Sequence, residues 1–193
     1  MANKPATGIK KLPIEFDITE FKQYILSLDE SAWNEWVERQ KPLRDKGNYG
    51  VHSNTHSLKV CWVPLTLPDT RMSYVQTNSK YYKKVFDFFS DVFSQVEAMY
   101  NGKIYRMIIV RLAANSTVGL HKDSGYSLEN HHRFHLPIST HENCIFICGN
   151  DKINMVEGSI YEINNQLDHS VDNNGNARIH MIFDIAENNL IKE

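Results

Sequence analysis

A histidine and a carboxylate in the motif His121-Lys122-Asp123, a second histidine at His169 and an arginine at Arg178 are the residues of this chain whose types and spacing suit chemistry. Alternate residues on an extended segment project to the same side, so His121 and Asp123 can offer an imidazole nitrogen and a carboxylate oxygen to one cation. His169 completes a set of two histidines and one carboxylate. Such a set holds a divalent metal on one face and leaves three positions open for exchangeable ligands, the arrangement found in non-haem Fe(II) oxygenases. Arg178 adds a planar, permanently charged fork that suits two-pronged binding of a carboxylate.

The stretch from Asp168 to Asp184 must position two of these groups. Asn174-Gly175 between two alternating segments predicts a β-hairpin, because a type I′ turn needs positive φ at both central residues. Counting back from that turn sets Val171 opposite Arg178 and His169 opposite His180. One face of the hairpin then carries His169, Val171, Arg178, His180 and Ile182, and the other face of the returning strand carries Ala177, Ile179, Met181 and Phe183 as core. A cationic set on such a strand is costly to bury unless an anion or a metal meets it.

The rest of the chain falls into two grammars. Asp17 and Glu20 resemble a capping box ahead of a helix bearing Phe21, Tyr24, Ile25 and Leu28. A short helix after Ser31 would place Trp33, Trp36 and Val37 near one face, and residues 41–57 read as a polar loop holding His52 and His56. Leu58 to Leu65 reads as a strand. Ser79 to Tyr100 carries a stripe of Val85, Phe89, Val92, Val96 and Met99, widened by Phe86 and Phe93, and Asn101-Gly102 ends it as a helix. From Lys103 the pattern changes to short strands, IYRMIIVRL, HRFHLPI, CIFICG, INMVEG, SIYEIN, DHSVDN and ARIHMIFDI, which predicts a sandwich or barrel. The H-x-D motif lies in what reads as a loop between the first two of these. Arg133-Phe134-His135-Leu136 and Arg178-Ile179-His180-Met181 share the pattern R-x-H-apolar.

Length and composition set bounds. At 193 residues the chain fits one domain, with a helical lead-in over about 1–102 and a β core over about 103–186. Hydrophobic residues at 41% and charged residues at 23% are those of an ordinary folded protein. A formal net charge of −2 without a basic block gives no support for nucleic acid as a partner. No apolar run approaches the roughly 20 residues needed to span a bilayer, and no signal-peptide pattern opens the chain, so the expected compartment is the cytoplasm. Cys144 and Cys148 on one strand would stand about 13 Å apart, too far for a disulfide, so these and Cys61 are read as reduced thiols.

The segment from roughly Ile104 to Ile185 resembles the aspartyl/asparaginyl β-hydroxylase family of Fe(II)- and 2-oxoglutarate-dependent dioxygenases, which includes cis-proline hydroxylase-like members. The resemblance rests on HKD at His121 to Asp123, RFHLPI at Arg133 to Ile138, and DHSVDNNGNARIHMIFDI at Asp168 to Ile185. It implies a mainly β fold with flanking helices, a double-stranded β-helix of jelly-roll, cupin-like type with the N-terminal helices packed on it. It further implies that His121, Asp123 and His169 hold Fe(II), that Arg178 anchors the distal carboxylate of 2-oxoglutarate, and that Arg133 and His135 are a second cofactor-contacting pair. O2 would be the other cosubstrate, with succinate and CO2 as co-products of hydroxylating a C–H bond in an amino acid, a peptidyl side chain or a similar small polar substrate. The family's hydroxylases of secreted-protein domains lack the metal-binding carboxylate that Asp123 supplies here. That departure points toward small-molecule members and away from halogenases, which leave the position open.

Two alternatives remain at this level: a cupin-like binding or scaffold protein, and a cupin metal enzyme that uses no keto acid. The first would have eroded the metal set; the second needs no arginine at the place of Arg178 and relies on more histidines. His180 reads as a buried histidine satisfied by hydrogen bonds, His131, His132 and His141 as exposed strand ends, and His52 and His56 as part of a surface connection. Lys122 and Tyr126 flank the metal motif, and Asp184 has no assigned role.

Overall fold

The computed structural model describes residues 2–34, 50–62, 72–73 and 77–192. Strands β1 (Ile9–Glu15), β2 (Thr55–Trp62), β3 (Met72–Ser73), β4 (Thr77–Asn78), β5 (Gly102–Leu112), β6 (Ser116–His121), β7 (His132–Ser139), β8 (Cys144–Cys148), β9 (Asp151–Ile153), β10 (Ser159–Ile163), β11 (His169–Asn173), β12 (Arg178–Glu187) and β13 (Ile191–Lys192) carry most of the order. A major sheet runs β1-β10-β7-β12-β5-β2-β4 and a minor sheet runs β6-β11-β8-β9, while β13 and β3 pair separately. The helices are α1 (Thr19–Leu26), a helical stretch α2 over 30–34, α3 (Tyr82–Met99) and a short α4 (Tyr126–Asn130). This is the expected jelly-roll with helices packed on it. Among the described residues no helix is long and apolar enough to cross a membrane.

The two faces of the major sheet have different chemistry because residues alternate along each strand. Phe134, Leu136 and Ile138 of β7 and Ile179, Met181, Phe183 and Ile185 of β12 point outward into a core shared with the helices. There α3 supplies Val85, Phe89, Val92, Phe93 and Val96 at helical spacing. Phe183 stacks on Phe134 at 5.0 Å and meets Phe93 at 5.6 Å, and Phe21 of α1 stands edge-on to Phe89 at 4.7 Å. Each such buried side chain contributes about 1.5–3 kcal/mol. The inner face of the same strands carries Arg133, His135, Arg178, His180 and Asp184, all buried. It meets a smaller apolar cluster of Val118, Phe146 and Val171 from the minor sheet.

The face predicted for Arg178 and His180 is the inward one, but the predicted hairpin does not form. β11 pairs with β6 and β8, whereas β12 pairs with β5 and β7, so the chain crosses between sheets at Asn174-Gly175. Neither residue has a positive φ. The crossing is held by Asn173, whose amide donates to the Ala113 and Asn176 carbonyls, and by Asn115 N donating to the Gly175 carbonyl. Glycine is needed at 175 for room, since a Cβ there would stand 2.5 Å from Cε1 of His141. His169 consequently faces His121 across its ladder, not His180.

Other boundaries shift for local reasons. The stretch read as a loop between β5 and β7 contains β6 and α4. β2 begins at Thr55, three residues early, because Thr55 to Ser57 continue the ladder with β5; residues 63–65 of the expected strand, Trp36 and Val37 lie outside the described residues. Ahead of α1 the Asp17 carboxylate accepts from Thr19 N and Oγ1, and Ile18 takes the cap position, so no capping box forms. The INMVEG segment is strand only to Ile153, because the Asn154 amide turns to donate to the His141 and Cys144 carbonyls. β1 has no counterpart in the sequence reading; its Pro13 is tolerated because β1 is an edge strand. Cys61, Cys144 and Cys148 are free and buried, as expected.

Replacement of Phe183 by alanine removes the ring that joins sheet and helix. Urea unfolding of Phe183→Ala is expected to show a loss of about 3–5 kcal/mol; a loss under about 1 kcal/mol would mean that the outer core does not depend on this contact.

Candidate functional site

β6 ends at His121 and its neighbour β11 begins at His169, directly opposite in the ladder, which brings the two imidazole centroids to 4.2 Å. Asp123 follows just beyond the end of β6. Ligand atoms of His121, Asp123 and His169 all lie within 4.8 Å of one another, and among the described residues no other group of three gathers in this way. Nδ1 of His121 is 2.8 Å from the Gly119 carbonyl and Nδ1 of His169 is 3.0 Å from the Leu167 carbonyl. A carbonyl only accepts, so each Nδ1 donates its proton there and each Nε2 lone pair is left for a cation. Burial lowers the basicity of His169, which favours the neutral form a metal needs.

Asp123 is held from three sides. Arg133 Nη1 donates to its Oδ2 at 2.6 Å and the Asn165 amide donates to the same oxygen at 3.0 Å, while Gln166 Nε2 donates to its backbone carbonyl at 3.1 Å. Burial alone would raise this carboxyl, but Arg133, with His169, Asn165 and His121, brings it down to about 2. Arg133 is in turn clamped by Asp184, which accepts from Nε at 2.8 Å and from Nη2 at 2.9 Å. Asp184 and Arg133 are direct cross-strand partners on β12 and β7. Lys4, near the N-terminal end, donates to the Leu128 carbonyl at 2.8 Å and to Asn165 Oδ1.

Further along the same inner face lies a narrow pocket lined by Thr140, Cys144, Phe146, Met155, Val171, Arg178 and His180. Burial draws the Arg178 guanidinium down to about 10, with the Cys144 thiol beside it, and its Nε has no hydrogen-bond partner. His135 Nδ1 and both nitrogens of His180 are likewise buried and unpartnered. The His135 ring stands 5.1 Å from Phe146 and 5.8 Å from His180, and the Phe146 ring lies 6.3 Å from that of His169. Native interiors satisfy their buried polar groups. A buried guanidinium with an unpartnered Nε and three unpartnered imidazole nitrogens beside it therefore fits an anionic, oxygen-rich ligand, and the adjacent N,N,O trio fits a divalent metal. Of the pair Arg133 and His135, only His135 has a free nitrogen; Arg133 is committed to Asp123 and Asp184.

Several histidines sit elsewhere than the sequence reading put them. His131 and His132 are buried, His132 between the Glu162 and Glu187 carboxylates at 2.6 and 3.2 Å, and His141 is half-buried with Nε2 2.8 Å from Asn173 Oδ1. His180 is buried as expected but unsatisfied. His56 lies on β2 beside Arg111, while the ring of His52, in a short turn over Gly50–His52, stands edge-on to His121 at 4.8 Å. That turn closes in because Gly119 has no side chain: a Cβ would be 2.9 Å from Val51 Cγ1. Lys122 is exposed beside the trio, and Tyr126 opens α4. Asp184, Asn165, Gln166 and Lys4 were not identified as site residues. Only Asp184 left a signal, a lone acid on a strand otherwise cationic on that face.

Residues 19–188 match the sequence profile of the family described as aspartyl/asparaginyl beta-hydroxylase. No curated protein matches the chain. Among solved structures, an oxidoreductase of the 2OG-Fe(II) oxygenase family from Burkholderia pseudomallei superposes with a TM-score of 0.59 at 12% identity, covering 96% of this chain and 87% of that one. HygX from Streptomyces hygroscopicus, solved with nickel and 2-oxoglutarate bound, gives 0.53 at 11% identity, covering 94% and 84%. The viral collagen prolyl hydroxylase of Paramecium bursaria Chlorella virus-1, a 2OG complex, gives 0.52 at 9% identity, covering 94% and 97%. At these identities the likenesses establish a shared fold.

Two measurements test the support of Asp123. Asn165→Ala is expected to weaken Mn(II) affinity roughly tenfold, read by electron paramagnetic resonance, and an unchanged affinity would remove Asn165 from the metal's support. In the metal-free protein, the depressed Asp123 carboxyl adds stability that is fully present above its ordinary value of 3.8 and is lost as pH falls through about 2. The unfolding free-energy gap between wild type and Asp123→Asn should therefore shrink by about 2 kcal/mol on acidification across that window; a gap independent of pH would rule out the Arg133 pairing.

Proposed function

The chain belongs to the aspartyl/asparaginyl β-hydroxylase family of 2-oxoglutarate- and Fe(II)-dependent oxygenases, and from that premise we propose that it hydroxylates a C–H bond of an amino acid, a peptidyl side chain or a similar small polar molecule. The observation that carries the proposal is the buried Arg178, its Nε without a hydrogen-bond partner, facing a pocket next to the His121, Asp123 and His169 trio. In this reading His121 Nε2, His169 Nε2 and an Asp123 oxygen hold Fe(II), and Arg178 grips the distal carboxylate of 2-oxoglutarate. When bound, metal and keto acid supply reductive activation of O2, in which decarboxylation to succinate and CO2 accompanies delivery of one oxygen atom to the substrate C–H bond.

The protein's own residues do the positioning. Arg133 and Asn165 fix the Asp123 carboxylate, and the Gly119 and Leu167 carbonyls fix the imidazole tautomers. His135 offers its free nitrogen to the cosubstrate. Phe146, Val171 and Met155 keep water from the pocket wall, so that charged contacts there act in a medium of low dielectric. The mouth is polar, with Lys122 and His52 exposed beside His121, which supports a polar substrate. Residues 1–193 act as one catalytic unit under this proposal, since β1 and β2 share a sheet with β12.

The test is an anaerobic thermal shift of metal-stripped protein with Fe(II), with 2-oxoglutarate and with both, followed by a screen of amino acids and peptides for succinate release. A large shift that needs both ligands is expected, because each binds only the folded state. A shift with metal alone would favour an enzyme without keto acid; none at all would favour a scaffold. Arg178→Ala should weaken 2-oxoglutarate binding roughly a hundredfold while metal affinity stays within about twofold of wild type, and retained keto-acid affinity would remove Arg178 from the site.

A further inference from the structure

His180 lies two residues beyond Arg178 on the same inward face of β12, and both line the pocket with Thr140 and Cys144. Its ring is buried and neither nitrogen has a hydrogen-bond partner, a state that native interiors avoid. The walls leave few candidates to satisfy it. Phe146, Met155 and Val171 are apolar, the Cys144 thiol pairs with the Arg178 guanidinium, and Thr140 makes no hydrogen bond to the ring. His135 stands 5.8 Å away ring to ring and has its own free Nδ1. Arg178 can only donate, and repels a second positive charge.

We propose that His180 is a second binding residue for the distal carboxylate of the keto acid, sharing it with Arg178 and discriminating a diacid from a monoacid. The inference rests on the reading above, which assigns the pocket to 2-oxoglutarate, and extends it to a residue whose two ring nitrogens have no hydrogen-bond partner within the fold. Its chemistry is specific. Burial and the nearby guanidinium hold the His180 imidazole well below its ordinary basicity, so it enters the pocket neutral, with one N–H and one lone pair. The N–H donates to a carboxylate oxygen, while Arg178 Nε, also unpartnered, donates to the same group. A neutral donor beside a guanidinium adds a hydrogen bond without a second buried positive charge. A keto acid ending in a methyl group would leave both donors unsatisfied.

The experiment is anaerobic titration calorimetry of the Fe(II)-loaded wild type, His180→Ala and His180→Gln with 2-oxoglutarate and with 2-oxopentanoate, which keeps the keto-acid head and five-carbon chain but ends in a methyl group. His180→Ala is expected to weaken 2-oxoglutarate roughly tenfold to a hundredfold, and to leave 2-oxopentanoate and Fe(II) affinity within about twofold. His180→Gln, which restores an N–H, should recover part of the loss. Unchanged 2-oxoglutarate affinity in His180→Ala would overturn the proposal, as would equal weakening of both acids, the mark of a merely structural residue. Failure of the wild type to bind 2-oxoglutarate would instead strike the premise, and is seen before any variant is compared.

Discussion

A guanidinium buried between two carboxylates is the interaction on which the inner half of this molecule depends. Arg133 reaches Asp184 with two nitrogens and Asp123 with the third. Taking three charges out of water is expensive, and the arrangement survives because each is matched. Arg106 lies 4.0 Å from Asp184, so that acid answers more than one cation. The cross-strand position of Asp184 aligns the Arg133 fork, and the fork aims the carboxylate that a metal would use. A carboxylate beyond the end of its strand is thus held by strands of the opposite sheet.

This division of labour runs through the whole fold. The outer face of the major sheet is closed by helices and packed with aromatic and aliphatic side chains, and it supplies most of the hydrophobic stabilisation. The inner face carries arginines, histidines and an acid that would be destabilising in a single-core protein. Alternation along β7 and β12 puts both on one ribbon of chain: Phe134 and Leu136 secure the strand from outside while Arg133 and His135 work inside. The minor sheet adds two of the metal-type ligands and a thin apolar wall.

Much of this was legible in the residues. Period-two patterning identified the inward face of β12 and its outward core, because alternation does not depend on which strand is the partner. Partners were not legible. Asn174-Gly175 carries the strongest local signature of a hairpin, yet tertiary pairing overrides it, with β11 and β12 each flanked by two other strands. The repeated R-x-H pattern proved informative: its two copies lie on adjacent antiparallel strands, with Asp184 opposite Arg133 and Ile182 opposite His135. Residues such as Asn165 and Lys4 left no trace, since their role comes from contacts across long sequence separations that no local pattern encodes.

The order of strands in the major sheet also sets when the site can exist. β1 pairs with β10, joining Ile9 to Ile163, and β2 lies beside β5, which pairs in turn with β12. On the ribosome, β1 must wait without its partner while some 150 residues of later chain are synthesised, and such non-local closure makes folding slow. The turn that supplies Asn165 and Gln166 is itself tethered to the Pro5 and Gly8 carbonyls through Asn164. The ordered trio of His121, Asp123 and His169 therefore comes late in assembly, once residues 5–8 have met the turn at Asn164, and a nascent or partly folded chain has no such trio to offer a metal.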